Sequence, residues 1–270
     1  MFKLIALDMD GTLLKEDKTI SNKTFEAIQN AKEKGVKVVL STGRPVLGIK
    51  KYLQHLNLIN EDDFAVTYNG AVVQCTKSGQ VIADNPLTFE DLHYLYNLSK
   101  ELGINIHALT TNTCITPKAN KYSEYEATMN EIPLKVVDFD NIDENTKIVK
   151  VMFVDPEEIL SKVIEKLPKD IYEKYTVVRS APFFLEFLDK NVNKGFGVKL
   201  LAEKLNIKPE EVICVGDAGN DVHMIKYAGL GVAMDNASLD VKKQADYITL
   251  SNEEDGVAHV INKFILKDYI

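Results

Sequence analysis

Leu4-Ile5-Ala6-Leu7-Asp8-Met9-Asp10-Gly11-Thr12 runs four apolar residues straight into a pair of carboxylates. An unbroken apolar run of this length predicts a strand buried on both faces. Gly11 then allows a sharp turn and a close approach of backbone to a ligand. In an open α/β sheet, ligands bind at the carboxyl ends of the strands, so both acids would sit where chemistry takes place. Two acids separated by one residue present both carboxylates to one small volume, and their repulsion calls for a cation or a proton. Taken alone, Asp-Gly is equally a polar turn. The rest of the chain decides between the two.

Downstream, Ser21 caps a predicted helix to about Lys34, with Phe25, Ile28 and Ala31 on one face. Gly35 ends it, and Val36 to Leu40 predicts a second buried strand. Ser41-Thr42-Gly43-Arg44 falls at that strand's carboxyl end. Pro45 suits the first turn of the next helix, whose inward residues are Ile49, Leu53 and Leu56. Phe64 to Thr67 is a third strand, closed by Tyr68-Asn69-Gly70. Val72 to Gln74 and Gln80 to Ala83, joined through Ser78-Gly79, predict a hairpin. This alternation of strand and helix implies a parallel sheet covered by helices.

The rhythm changes near Asp84-Asn85-Pro86. Thr88 with Asp91 forms a capping box for a helix ending at Gly103. Asp155 caps another, with Pro156 in its first turn and Ile159, Leu160, Val163, Ile164 and Leu167 as its buried stripe. Strand-like runs cover Ile104 to Ala108, Ile148 to Val154, Tyr175 to Arg179 and Phe183 to Leu188, and Asp138 to Lys147 is expected to be a solvated loop. The first rhythm resumes with a helix from about Gly195 to Leu205. The strand Val212 to Val215 follows and ends at Gly216-Asp217. Then come a helix from about Asp221 to Tyr227, the strand Leu230 to Ala233, a short helix near Leu239, Tyr247 to Thr249, and a last helix with Val257, Val260, Ile261 and Phe264 inward. The expected organisation is a Rossmann-like core of residues 1–83 and 190–270, split by an α+β insert of residues 84–189.

Composition narrows the function. A net charge of −8 argues against general nucleic-acid binding, and no apolar stretch is long enough to span a bilayer, so neither nucleic acid nor membrane is an expected partner. Met1-Phe2-Lys3 leads straight into the first strand, so no signal peptide is expected. Cys75, Cys114 and Cys214 are odd in number and far apart, as in reduced packing residues of a cytoplasmic protein.

Four strand-end clusters remain: Asp8 with Asp10, Thr42-Gly43-Arg44, Lys194, and Gly216-Asp217-Ala218-Gly219-Asn220-Asp221. Their spacing gathers them on one edge of one sheet, giving several carboxylates, a hydroxyl, an ammonium and glycine-freed amides. Phosphoryl transfer fits this set. Carboxylates alone repel a phosphate, so Mg²⁺ in oxygen coordination is needed between them. Asp8 and Asp217 are its natural anionic ligands, with the Asp10 carbonyl as a neutral one. Lys194, the Thr42 hydroxyl and the amides of Met9 and Gly43 can hold phosphoryl oxygens as charge builds. One carboxylate can attack phosphorus to give an aspartyl-phosphate, while the other serves as general acid and then base.

These residues resemble the haloacid-dehalogenase-like (HAD) phosphatase superfamily. Its Asp-x-Asp-x-Thr motif matches Asp8 to Thr12, its Ser/Thr motif Thr42, its lysine Lys194, and its fourth motif Gly216-Asp217-x-x-Asn220-Asp221. The insert is placed like the large cap of the Cof-type subfamily. Tyr68 to Ala71, Val232 to Ala237 and the stretch from Ser180 to Gly195 look closer still to the YidA-type sugar phosphatases. The resemblance implies Asp8 as nucleophile and Asp10 as acid and base. It implies Mg²⁺ on Asp8, the Asp10 carbonyl and Asp217, and phosphate contacts from Thr42, Gly43, Lys194 and Asn220. Asp221 would orient Lys194 or a metal-bound water. Arg44 would reach the phosphate or the substrate beyond it, and Asn69 would line the site. Ala218 and Gly219 depart from the polar residues of many relatives, which removes side-chain chemistry at those two positions.

The implied substrates are small phosphorylated metabolites, sugar phosphates first, with the insert as a lid hinged near Asn85 and Lys190. Two alternatives keep the same residues: a phosphosugar mutase on this scaffold, and a phosphosugar-sensing regulatory protein. A dinucleotide site is weaker, since Gly195-Phe196-Gly197 and Gly229-Leu230-Gly231 lack the third glycine. None of the five histidines has metal-ligand spacing, and Tyr122, Tyr125, Phe183 and Phe184 are expected to pack in the insert's core.

Overall fold

The computed structural model describes residues 1–267. In chain order the elements are β1 (Leu4–Leu7), α1 (Asn22–Glu33), β2 (Lys37–Ser41), α2 (Val46–His55), β3 (Phe64–Thr67), β4 (Val72–Cys75), β5 (Val81–Asp84), α3 (Phe89–Leu102), β6 (Asn105–Leu109), β7 (Cys114–Thr116), α4 (Lys121–Met129) and β8 (Leu134–Val136). They continue with β9 (Lys150–Val154), α5 (Glu157–Lys166), α6 (Ile171–Lys174), β10 (Tyr175–Ala181), β11 (Phe184–Asp189), α7 (Lys194–Lys204), β12 (Val212–Gly216), α8 (Val222–Tyr227), β13 (Leu230–Ala233), α9 (Leu239–Lys242), β14 (Tyr247–Ile248) and α10 (Gly256–Val260). A π-helical segment, Ile261–Leu266, extends α10. Two compact units result, Met1–Ala83 with Asn193–Ile270, and Asp84–Val192. Residues 268–270 of the expected core segment lie outside the described residues. Among the described residues, no helix is long and apolar enough to cross a membrane.

The first unit is built on an eight-stranded sheet ordered β14-β13-β12-β1-β2-β3-β4-β5. Strands β14 through β3 pair in parallel, and β4 runs antiparallel to β3. The apolar run of β1 serves both faces. Ile5 and Leu7 join Val38, Leu40, Ile213 and Val215 under α1, α2 and α10, whereas Leu4 and Ala6 join Val39, Val66, Val212 and Cys214 under α7 and α8. Every β1 side chain is excluded from water, so truncating Leu7 to Ala costs about 2–5 kcal/mol. The chain leaves β1 for β2 on one side and reaches β12 on the other. The ends of β1 and β12 thus flank the switch point where open α/β sheets bind ligands.

The second unit carries a six-stranded sheet ordered β10-β11-β9-β6-β7-β8, antiparallel except for β7 with β8. Its apolar face takes Ile106, Val151, Phe153, Leu185 and Phe187 against Leu92, Leu95, Leu160 and Val163 of α3 and α5. On the opposite face the alternate residues His107, Lys150 and Glu186 are buried polar groups, with Met152 beside His107. Lys150 Nζ lies 3.0 Å from Glu186 Oε1 and 3.3 Å from Glu126 Oε1 of α4.

Several local expectations are corrected. Pro45 and Pro156 occupy N-cap positions, not the first turn, Pro45 in extended backbone. The Asp155 carboxylate does not cap α5; it accepts from Asn105 N and Nδ2 at 2.9–3.0 Å, which ties the start of β6 to the end of β9. Ile159 is 45% exposed. Phe139, inside the stretch expected to be solvated, is fully buried on a 3₁₀ turn and meets the Tyr96 ring edge-on at 5.3 Å. Of the insert's aromatic cluster only Phe184 is buried; Tyr125 is 47% exposed.

Candidate active site

Asp8 follows β1 directly, and its N–H donates to the Val215 carbonyl at 3.0 Å, continuing the β1–β12 ladder by one step. The carboxylate is thereby delivered to the switch point, nearly out of solvent. Lys194 is the first residue of α7, whose N-cap Asn193 accepts from Phe196 N at 2.9 Å. The residue is 1% exposed, and its ammonium lies 2.5 Å from Asp8 Oδ1 and 2.6 Å from Asp221 Oδ1. The other Asp221 oxygen accepts from the N–H groups of Asp217 and Ala218 at 3.0 and 2.9 Å. Asp221 therefore holds the turn after β12 and orients the lysine.

Oxygens of Asp8, Asp217 and Asp221 lie within 4.8 Å of one another and could hold a metal ion. The hydrogen bonds separate the three. Both oxygens of Asp221 already accept from donors, whereas Asp217 Oδ1 takes the Thr12 hydroxyl at 2.8 Å and, among the described residues, its Oδ2 accepts no hydrogen bond. Carboxylates gathered this closely repel one another unless a proton or a cation lies between them. An all-oxygen donor set of this kind, buried at Asp8 and Asp221 and half-buried at Asp217, suits a hard divalent cation.

The loop from Asp8 to Leu14 wraps this centre. Leu14 N and Thr12 N return to the Met9 carbonyl at 2.8 and 3.3 Å, and Leu13 N to the Asp8 carbonyl at 3.2 Å. Gly11 has φ +85°, and a Cβ there would run into the Asp217 carboxylate. Met9 buries its side chain in the core, leaving only its backbone for the site.

The Asp10 carboxylate is held by two cations. Arg44 Nη2 donates to both of its oxygens, at 2.8 and 2.7 Å, and Lys18 Nζ donates to Oδ1 at 2.8 Å. Beyond β2, Thr42 N donates to the Val66 carbonyl at 2.9 Å, and Thr42 Oγ1 accepts from Arg44 N at 3.2 Å. Asn69 N donates to the Thr42 carbonyl at 2.9 Å, and Asn69 Oδ1 accepts from Asn220 Nδ2 at 3.1 Å. Gly43 lies against that same Asn69 amide. Tyr68, Asn69 and Gly70 all have positive φ, and a Cβ on Gly70 would collide with the Asn193 carbonyl beside Lys194.

Electrostatics sharpen the division of labour. Burial, with Asp221 and Asp217 nearby, pushes the Asp8 carboxyl up to about 7 against the opposing pull of Lys194. Burial likewise raises Asp217, with Asp221 adding to it and the Thr12 bond opposing it. The Lys194 ammonium is held above its ordinary value: burial works against it, and the charges of Asp8 and Asp221 outweigh burial. Asp10 goes the other way. Burial would raise it, but the Lys18 bond and the Arg44 charge prevail and keep it below the usual carboxylate range.

The structure thus brings Asp8, Lys194, Asp217 and Asp221 into one contact group, and Thr42, Gly43, Asn69 and Asn220 into another. Asp10 pairs with Arg44. Sequence reasoning did not single out Lys18, or Thr12 as a partner of Asp217, and it did not single out Asn252. Lys18 reaches Asp10 only because the chain turns back after Leu14, which no side-chain spacing signals. The hydroxyl of an Asp-x-Asp-x-Thr motif is a signal that could have marked Thr12.

A model of the haloacid dehalogenase-like hydrolase family matches residues 5–261. The chain is 46% identical to YxeH of Bacillus subtilis (strain 168), over 98% of this chain and 99% of that protein. It is 33% identical to YcsE of the same organism, a 5-amino-6-(5-phospho-D-ribitylamino)uracil phosphatase, over 98% and 96% of the two chains. The crystal structure of a haloacid dehalogenase-like hydrolase from Bacteroides thetaiotaomicron superposes with a TM-score of 0.85 at 35% identity, covering 98% of this chain and 100% of that one. Family model, relatives and fold agree, and the chain belongs to the haloacid dehalogenase-like hydrolases.

Proposed function

We propose that this protein is a Mg²⁺-dependent phosphatase of small phosphorylated metabolites, sugar phosphates first among them, acting through an aspartyl-phosphate on Asp8. The observation that carries this reading is the buried Asp8 carboxylate at the β1–β12 switch point, bonded to Lys194 and adjoining Asp217. Asp8, the Asp10 carbonyl and Asp217 would hold Mg²⁺. When bound, the ion neutralises charge between the carboxylates and the phosphoryl oxygens.

The protein's own groups do the rest. Asp8 attacks phosphorus, and the bond from phosphorus to the ester oxygen breaks. Lys194, Thr42, Asn220 and the amides of Met9 and Gly43 hold the phosphoryl oxygens. Asp10 gives its proton to the departing oxygen, then takes one from the water that hydrolyses the aspartyl-phosphate. Arg44 and Lys18 keep Asp10 ionised, as the second half-reaction needs. An incoming phosphate competes with Asp10 for Arg44, and loosening that pair lets burial raise the proton affinity of Asp10 for the first half. Asp221 fixes Lys194, and Asn69 fixes Asn220. Catalysis belongs to residues 1–83 and 190–270. Substrate selection belongs to residues 84–189, acting as a lid that excludes water.

The primary phosphate of a polyhydroxylated chain, as in the substrate named for the relative YcsE, is the chemistry that supports sugar phosphates as first candidates. The test is phosphate release from a panel of sugar phosphates, pyridoxal phosphate and an aryl phosphate, with Mg²⁺, with EDTA, and with Asp8→Asn. Release that needs Mg²⁺ and vanishes in the variant is expected. Release equal in wild type and variant overturns the proposal.

A further inference from the structure

Two asparagines beyond the strand-end clusters grip the Asp8–Leu14 loop from the side. Asn236, after β13, donates from Nδ2 to the Gly11 carbonyl at 2.8 Å. Asn252, after β14, donates from Nδ2 to the Leu14 carbonyl at 2.9 Å, and its own N–H donates to Asn236 Oδ1 at 3.1 Å. The two residues are therefore linked, the Asn252 backbone to the Asn236 side chain, and hold the loop at two points three residues apart. The next residue continues the tie, since Glu253 Oε1 accepts from Glu16 N at 2.7 Å and the Glu253 carbonyl from Lys15 Nζ at 2.9 Å.

Gly11 is the pivot of that loop. A glycine samples far more backbone conformations than any other residue, so its own chemistry does not keep it at φ +85°. The peptide before Gly11 carries the Asp10 carbonyl, and the peptide after it leads to Thr12, whose hydroxyl orients Asp217. A main-chain carbonyl has no rotamer to steer it; its direction follows from the dihedrals of its neighbours. Fixing the Gly11 carbonyl removes the rotation that would otherwise swing the Asp10 carbonyl and the Thr12 hydroxyl together.

We infer that Asn236, backed by Asn252, is a positioning residue that sets the direction of the Asp10 carbonyl and the Thr12–Asp217 bond, and so tunes metal affinity. The inference rests on the metal-dependent reading above. Neither asparagine touches the reacting groups. Their effect passes through Gly11.

The test is Mn²⁺ binding to the full chain, followed by electron paramagnetic resonance of the free ion, alongside melting temperature and Mg²⁺ activation of phosphate release. Asn236→Ala removes the clamp. Asn236→Asp keeps its size and the acceptor for Asn252 but sets a carboxylate against the Gly11 carbonyl, which makes it the second variant should the first fold poorly. Both are expected to bind Mn²⁺ about 10- to 100-fold more weakly, the usual effect of losing a group that orients metal ligands. Excess Mg²⁺ should restore turnover, with KM for the phosphate ester unchanged. Wild-type metal affinity in both variants overturns the inference, whatever their melting temperatures, and leaves the phosphatase reading standing. A wild-type protein that binds no Mn²⁺ and releases phosphate equally in EDTA overturns both.

Discussion

Lys194 Nζ lies 2.5 Å from Asp8 Oδ1, with both side chains almost wholly out of solvent. A buried ion pair adds little stability over an apolar pair of the same volume, because desolvation offsets attraction. Breaking one is another matter. Lys194→Met would leave Asp8 and Asp221 as buried carboxylates without their shared cation. It should cost about 3–5 kcal/mol of stability and reduce phosphate release by about 10²-fold or more. Chemical denaturation and a phosphate-release assay on the same preparation check both numbers. A variant of wild-type stability would show that the pair is not the electrostatic keystone of the site.

Gly70 and Gly35 both have positive φ, yet their surroundings differ. Among the described residues nothing lies within 4 Å of where a Gly35 side chain would project, whereas a Gly70 Cβ would strike the Asn193 carbonyl next to Lys194. Gly35→Ala should therefore cost about 1 kcal/mol, the strain of the left-handed backbone alone. Gly70→Ala should cost several-fold more and lower activity with it. Thermal unfolding of the two variants distinguishes them; equal losses would contradict the packing argument.

His107 is buried between Ser123 Oγ, 3.0 Å from Nδ1, and Met152 Sδ, 3.1 Å from Nε2. Burial, and then the charge of Lys150, pushes its imidazole down to about 3. In the unfolded chain it titrates near its ordinary value of about 6.5, so the unfolded state binds more protons between these two values. The contribution is fully present above pH ~6.5 and is lost progressively as pH falls toward 3, with a slope approaching ~1.4 kcal/mol per unit. Urea titrations of wild type and His107→Gln at pH 7 and pH 5 isolate this group. The stability of wild type should fall further than that of the variant over that interval, and parallel falls would contradict the assignment.

The parts of this fold that were legible in the sequence are those where one physical demand dominates. β1, β2 and β12 are buried on both faces, so each carries consecutive apolar residues, Val38-Val39-Leu40 in β2, and the polar residues that follow mark the sheet's carboxyl edge. The Thr88–Asp91 capping box was equally plain, because both partners of the reciprocal bond lie in four consecutive residues. β7 and β8 were not legible: three residues cannot display a period, and α4 between them buries Ser123 and Glu126 where an apolar stripe would be expected. Phe139 hid in an acidic stretch because its burial depends on Tyr96, 43 positions earlier in the sequence. At the site, strand-end acids, the lysine and the threonine could be named from spacing. Lys18, Asn236 and Asn252 act through bonds to a loop whose course only the folded chain sets.

Asp10→Asn keeps the backbone carbonyl proposed to face the metal but removes the proton donor and acceptor. It should retain Mn²⁺ affinity while turnover falls about 10²- to 10⁴-fold, the range for loss of a general acid–base group. A matching loss of metal affinity would assign the Asp10 carboxylate to the ion instead.

The most direct test of the account is the mass of the Asp8-containing peptide after Asp10→Asn is mixed with Mg²⁺ and an aryl phosphate and quenched in acid. An aryl leaving group departs without a general acid, while hydrolysis of the acyl phosphate still needs Asp10 as base, so the covalent species should accumulate. A gain of one phosphoryl group on Asp8, absent in Asp8→Asn/Asp10→Asn, is the predicted result. Phosphate release without any phosphoryl group on Asp8 at any time point would contradict the aspartyl-phosphate route.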